Sequence, residues 1–213
     1  MPRAFRNRAE AGRRLASALR HLAGRNDVLV LGLPRGGVPV VYEVAKALGA
    51  PLDVFVVRKL GVPGHREFAF GAIASGGVRV LTEEIGRRLD PRIVDAVTAA
   101  EQDELRRREY AYRGESPPLD VAGKTVILVD DGLATGASMR AAVGALRALG
   151  PARIVVAVPT AAPQACDDFR KEVDEVICAD TPAHFIAVGE RYDDFSDTSD
   201  EEVRWLLADA KAA

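Results

Sequence analysis

Cysteine is scarce in this sequence of 213 residues: Cys166 and Cys178 are the only two, with no CxxC or CxH spacing around them. Two buried free thiols are the expectation, because a chain of this length can build a core without staples. Histidine is nearly as rare, and His21, His65 and His184 are scattered with no HExxH, which argues against a zinc site. No apolar run approaches the ~18 residues of a membrane span. Met1 to Glu10 is rich in arginine and has no apolar h-region, so it does not read as a secretory signal. An excess of positive charge is missing too. The formal net charge is −2, so no overall field draws the chain to nucleic acid or to an anionic membrane. A cytoplasmic protein of the reducing compartment is what these absences leave. With 48% hydrophobic and 28% charged residues it is globular, and at ~150 residues per domain it reads as a single domain over 1–213.

What is present is an alternation of strands and helices. A helix is expected from about Arg8 to Leu22, then an unbroken apolar run, Val28 to Leu33, of the kind that suits a parallel strand buried on both faces. A helix closed by Gly49 follows, then a strand over Val54–Val57. Gly61, Pro63 and Gly64 make Leu60 to Glu67 a loop by composition, and a hairpin follows around Ser75-Gly76-Gly77. Residues 83–113 read as helix broken at Asp90-Pro91, with Arg106, Arg107 and Arg108 as a solvated face because acids flank them. Thr125–Val129, Ile154–Val158 and Val176–Cys178 are further strands, with helices over 137–149 and near 165–172 between them. Ser199 to Glu202 is a capping box that opens the last helix. The expected architecture is α/β, a Rossmann-like parallel sheet flanked by helices.

One segment concentrates chemistry. Val126 to Val129 is apolar, Asp130 and Asp131 are adjacent acids, and Gly132 to Ser138 is a loop of small residues feeding a helix. Carboxylates at the carboxyl end of a buried strand stand where ligands bind in open parallel sheets. Free N–H groups at the helix start, with the Thr135 and Ser138 hydroxyls, suit a phosphate. Together they describe a ribose 5-phosphate site. Rival motifs fail on spacing: a Walker loop ending at Gly123-Lys124-Thr125 needs glycine where Pro118 stands, and the loop after Val28–Leu33 has no GxGxxG.

Val129 to Ser138 closely resembles the phosphoribosyl-pyrophosphate (PRPP) motif of the type I phosphoribosyltransferases. Leu33 to Gly37 resembles that family's pyrophosphate loop, and Arg58-Lys59 with the stretch to Phe70 resembles its mobile catalytic loop and hairpin. Phe185 to Phe195 resembles the pattern in members of unassigned substrate. The resemblance implies the type I fold with a small hood at about 180–213, a helical insertion at about 82–118, Mg²⁺ as cofactor, and transfer of phosphoribose from PRPP to a nitrogenous base. A member that senses PRPP without turnover is the rival reading. A homodimer is compatible with the family; nucleic acid and membrane are not implied partners.

The resemblance also implies roles. Asp130 and Asp131 would hold the ribose hydroxyls and the metal, directly or through metal-bound water. Ala134, Thr135, Gly136, Ala137 and Ser138 would take the 5′-phosphate. Pro34, Arg35, Gly36 and Gly37 would hold pyrophosphate, with the Pro34–Arg35 peptide able to turn cis. Arg58 and Lys59 would add catalytic charge, and Leu60 to Glu67 would close as a lid. Many purine-salvage members have an acid where this chain has Ala134; alanine moves no proton, and Glu67 is the candidate substitute. Tyr192 and Phe195 are the expected platform for a flat acceptor.

Overall fold

The computed structural model describes residues 3–86 and 88–212, the side chains of Arg66 and Glu67 excepted. Its elements, in chain order, are α1 (Arg8–Ala18), β1 (Val28–Gly32), α2 (Gly37–Leu48), β2 (Leu52–Val54), β3 (Val57–Val62), β4 (His65–Ala74), β5 (Val78–Leu81) and α3 (Pro91–Arg113). There follow β6 (Thr125–Val129), α4 (Ala137–Ala148), β7 (Arg153–Thr160), α5 (Pro163–Phe169), β8 (Glu175–Asp180) and α6 (Asp200–Ala212).

Five parallel strands form the main sheet in the order β2-β1-β6-β7-β8. Every residue of β1 and β6 is buried, which their unbroken apolar runs require. Alternation divides the strands between two cores. Leu29, Leu31, Val126 and Leu128 pack with Met139, Val143 and Leu146 of α4 and Phe169 of α5. Val28, Val30, Ile127 and Val129 pack on the other face with Leu15 of α1 and Val41 and Val44 of α2. Each such side chain contributes about 1.5–3 kcal/mol, so the strand ends that carry the site are held rigidly.

The second sheet, β3-β4-β5, is antiparallel, and it corrects two expectations. The strand foreseen at Val54–Val57 is a junction where the chain leaves β2 and enters β3. The segment foreseen as a loop, Leu60 to Glu67, is the tip of the β3–β4 hairpin. Register shifts on either side of Gly61 absorb the irregular sequence, as a bulge does, and Pro63-Gly64 makes the turn with Gly64 at φ +81°.

Helix lies only over Pro91–Arg113 in the expected insertion; the Asp90 carboxylate accepts from the Arg92 N–H at 2.9 Å and Pro91 opens α3. Val94, Leu105 and Tyr112 seat it in a third core with Leu60, Phe70 and Ile73 of the outer sheet and Val203 and Leu206 of α6. Its last residue, Arg113, clasps Asp53 through two nitrogens, with side chains 11% and 18% exposed. The expected free thiols are corrected as well: Cys166 of α5 and Cys178 of β8 form a disulfide. The helix folds back beside the edge strand and brings the sulfurs together. The capping box is as expected, with Ser199 Oγ accepting from Glu202 N–H at 3.1 Å.

Candidate active site

Strand β6 ends at Val129 and places Asp130 and Asp131 at the carboxyl edge of the sheet, next to the loop that follows β1. The two segments touch through backbone. Leu33 N–H donates to the Val129 carbonyl at 2.9 Å, and the Pro34–Arg35 peptide is cis. A Cβ on Gly36 would stand 2.2 Å from Asp131 Oδ2, and one on Gly37 would stand 2.9 Å from the Val129 carbonyl. Both glycines are therefore required by contact with the acidic pair, not merely by a turn. Burial first, and then the neighbouring Asp131 charge, pushes the Asp130 carboxyl well above its usual range. Burial raises Asp131 too, and Arg8 opposes the rise.

Nothing in the sequence singles out Arg8 among the arginines near it. Asn7 caps α1 by accepting from Glu10 N–H at 3.0 Å, which makes Arg8 the first helical residue and fixes its direction. Its Nε and Nη2 both donate to Asp131 Oδ2, at 3.0 and 2.9 Å, and its Nη1 donates to the Ser196 carbonyl at 2.6 Å. The guanidinium lies 4.0 Å over the Phe195 ring.

That arrangement corrects the acceptor platform. Tyr192 is 1% exposed, wedged between Phe5 and Phe195 with ring centroids 5.4 and 5.1 Å away. Its hydroxyl donates to the Asp131 carbonyl at 2.6 Å, and burial pushes its pKa well upward. Phe195 is covered by Tyr192 on one side and Arg8 on the other. Tyr192 has no face left for a ligand, and Phe195 is half-buried against Tyr192 and Arg8. The pair seals the hood onto the first residues of the chain, and the hood instead presents Ile186, 77% exposed, and Val188, whose methyls fill the space over Gly132.

The expected phosphate loop runs from Gly132 into α4. Gly136 is left-handed at φ +74°, and a Cβ there would meet the Phe169 ring at 2.6 Å. Ala134, Thr135, Ala137 and Ser138 are exposed around it, and Ala137 N–H turns to Thr135 Oγ1 at 3.4 Å. The first amides of α4 thus open to solvent beside the acidic pair, the arrangement an anion needs.

A cavity of about 260 Å³ joins these parts: Pro34, Arg58, Lys59, Asp130 and Ser138 line it together with Arg108 of α3. Arg58 and Lys59 enter from β3, within a strand and not at the start of a loop as the resemblance implied. Arg106 and Arg107 are solvated as expected, and Arg108 alone departs from that face by lining the cavity. Behind the cavity, Glu101 holds Arg58 at 2.8 Å and Glu104 holds Arg108 at 2.7 Å. Arg107 first, and then Arg108, hold the Glu104 carboxyl down at about 2. Arg35, outside the cavity wall, lies 3.7 Å from Asp200, which also accepts from the Tyr112 hydroxyl at 2.8 Å. Burial, and then that contact, raises Tyr112 to about 12. The Glu67 side chain lies outside the described residues.

Among the described residues no group of three or more His, Cys, Asp or Glu is placed to hold an ion. The donor set at hand is the carboxylate pair. Two carboxylates suit Mg²⁺, which keeps most of its waters and shares phosphate oxygens with a substrate.

Known proteins resemble this arrangement over most of its length. A Mycobacterium tuberculosis protein named "Putative phosphoribosyl transferase" is 49% identical over 201 residues, 93% of this chain and 45% of that one; the chain thus spans about half the length of the curated relatives it matches most extensively. The bifunctional protein PyrR of Chloroflexus aurantiacus is 34% identical over 127 residues, 58% of this chain and 65% of its own. The crystal structure of TT1426 from Thermus thermophilus superposes with a TM-score of 0.87 at 46% identity, covering 96% of this chain and 98% of that one. The phosphoribosyl transferase domain family model matches residues 4–194, a span that takes in the loop after β1, the acidic pair and the seam under the hood, and the chain belongs to that family.

Proposed function

We propose that this protein transfers the 5-phosphoribosyl group of PRPP to a nitrogenous base and releases pyrophosphate, with Mg²⁺ bound at the carboxylate pair. The observation that carries the reading is the single cavity that gathers Pro34, Arg58, Lys59, Asp130 and Ser138 from three separate segments. Asp130 and Asp131 accept from the ribose hydroxyls. The amides that open α4, with Thr135 and Ser138, hold the 5′-phosphate. The bond from C1′ to pyrophosphate breaks as the base nitrogen bonds C1′, and the base proton passes to solvent water. Negative charge then grows on the leaving oxygens, where Arg58, Lys59 and the backbone beside Gly36 and Gly37 stabilise it. Bound Mg²⁺ supplies charge neutralisation for the pyrophosphate. The acceptor packs against Ile186, the exposed apolar side chain of the hood.

A pyrophosphate-release assay with PRPP, Mg²⁺ and a panel of purine, pyrimidine and pyridine bases tests this. Release is expected with at least one base, and its loss in Asp131→Asn. Absence of calorimetrically detectable PRPP binding overturns the reading. PRPP binding without release across the panel replaces it with a PRPP sensor.

A further inference from the structure

The cavity beside the loop after β1 carries Arg58, Lys59 and Arg108 against the one carboxylate of Asp130. Three cations around open space repel one another unless acids stand behind them or an anion stands among them. The acids are there. Glu101 and Glu104 are one turn apart on α3, outside the cavity wall, and each holds one of the arginines by its Nε. Glu101 also takes Nη2 of Arg58, whereas Arg108, held through its Nε, lines the cavity with its side chain 32% exposed.

The helix presenting Arg108 is fixed. At its end Arg113 clasps Asp53, and the Tyr112 hydroxyl donates to Asp200, the residue that also lies near Arg35. The insertion is therefore anchored both to the main sheet and beside the loop after β1. What fits a pocket with these charges is a polyanion, and a guanidinium fork matches phosphate oxygens two at a time.

We propose that Arg108 is a pyrophosphate-binding residue, reaching the leaving group from α3 on the side of the cavity opposite Asp130. The inference rests on the reading of this cavity as the PRPP site and extends it to a helix that carries none of the motif. Arg107 is an internal control: it shares Glu104 at 2.7 Å, its side chain is 60% exposed, and it does not line the cavity.

Calorimetric titrations with PRPP plus Mg²⁺, and separately with ribose 5-phosphate, on the wild type, Arg108→Gln, Arg108→Lys and Arg107→Gln decide the matter. Arg108→Gln is expected to weaken PRPP about 10- to 100-fold, the loss of a charge-assisted hydrogen-bonding partner. Ribose 5-phosphate, which lacks the leaving group, should keep its affinity in that variant. Arg108→Lys should recover part of the loss, and Arg107→Gln should match the wild type. Unchanged PRPP affinity in Arg108→Gln overturns the assignment, and so does an equal loss for both ligands, which would mark a structural role. Wild-type protein that binds ribose 5-phosphate but not PRPP overturns it too, along with the proposed function.

Discussion

The two walls of the cavity are made of different material. On the Asp130 side it is the loop after β1 packed against the end of β6: Pro34 and Asp130 line it, and next to them in the chain a Cβ on Gly36 would meet the Asp131 carboxylate and one on Gly37 the Val129 carbonyl. On the opposite side it is long side chains, Arg58, Lys59 and Arg108, two of them steadied by glutamates on α3. The first wall is set by steric exclusion and changes all at once or not at all. The second is set by ion pairs that water can replace, so its charge can be altered without moving the chain. A sterically fixed side facing an adjustable, cation-rich side is what that contrast provides.

The largest effect should come from breaking the first wall. Gly36→Ala puts a carbon 2.2 Å from Asp131 Oδ2, and the loop or the acid must move. Overpacking of this kind costs roughly 1–3 kcal/mol. Pyrophosphate release should fall below detection, with a measurable drop in thermal stability; a variant with wild-type turnover would show that the close approach is dispensable.

On stability rather than turnover, the charge balance behind each wall has the larger effect. Arg8→Met leaves Asp131 without its partner in a contact whose side chains are 11% and 16% exposed, and stranding such a charge costs about 3–5 kcal/mol. Glu101→Gln makes the corresponding change behind the other wall, where both side chains are near 30% exposed and a partly solvated pair contributes about 0–1 kcal/mol. Denaturant unfolding of the two variants should separate clearly; equal losses would erase the distinction between the walls.

The smallest effect has the opposite sign. The Asp130 pKa is raised in the folded chain, by burial and then by Asp131, so the folded state holds its proton more tightly than the unfolded state does. Its contribution to stability is complete below the usual carboxylate range and is lost as pH rises through the raised value. At neutral pH the charge is therefore a cost. Asp130→Asn should raise the melting temperature at pH 7 by about 2–4 °C for each kcal/mol relieved, with the gain fading as the pH falls toward 4. PRPP affinity should drop in the same variant. A melting temperature unchanged at pH 7 would remove the case for a strained carboxylate.

How far the sequence disclosed this molecule follows the same division. Strand β6 and the start of α4 fall where the apolar run and the small-residue loop place them, because a strand buried on both faces must be apolar throughout. The cis peptide before Arg35 agrees with what the family resemblance implied. The outer sheet was hidden because Gly61, Pro63 and Gly64 signal a loop locally, whereas pairing with β4 is a tertiary matter that a bulge accommodates. Arg8 and Arg108 were hidden for another reason: each is one arginine among several, and only the fold decides that the first meets Asp131 and the second lines the cavity. Tyr192 was misread because aromatic enrichment marks a sealed seam as readily as a ligand platform, and the hydroxyl on the Asp131 carbonyl distinguishes them.

The seam under that tyrosine is sewn from distant parts of the chain. Ala4 and Phe5 donate to the Arg191 carbonyl, Asp193 and Asp194 donate back to Phe5 and Arg6, and Arg8 reaches Ser196 across a separation of 188 residues. Closing a loop of that length costs about 5 kcal/mol in chain entropy, which the two apolar cores must supply before the seam can form. The counterion of Asp131 therefore arrives by long-range closure and not with the strand that bears the acid. Electrostatic order at the paired carboxylates is in this sense a report on the topology: it exists only where the stretches around Phe5 and Tyr192 have found each other.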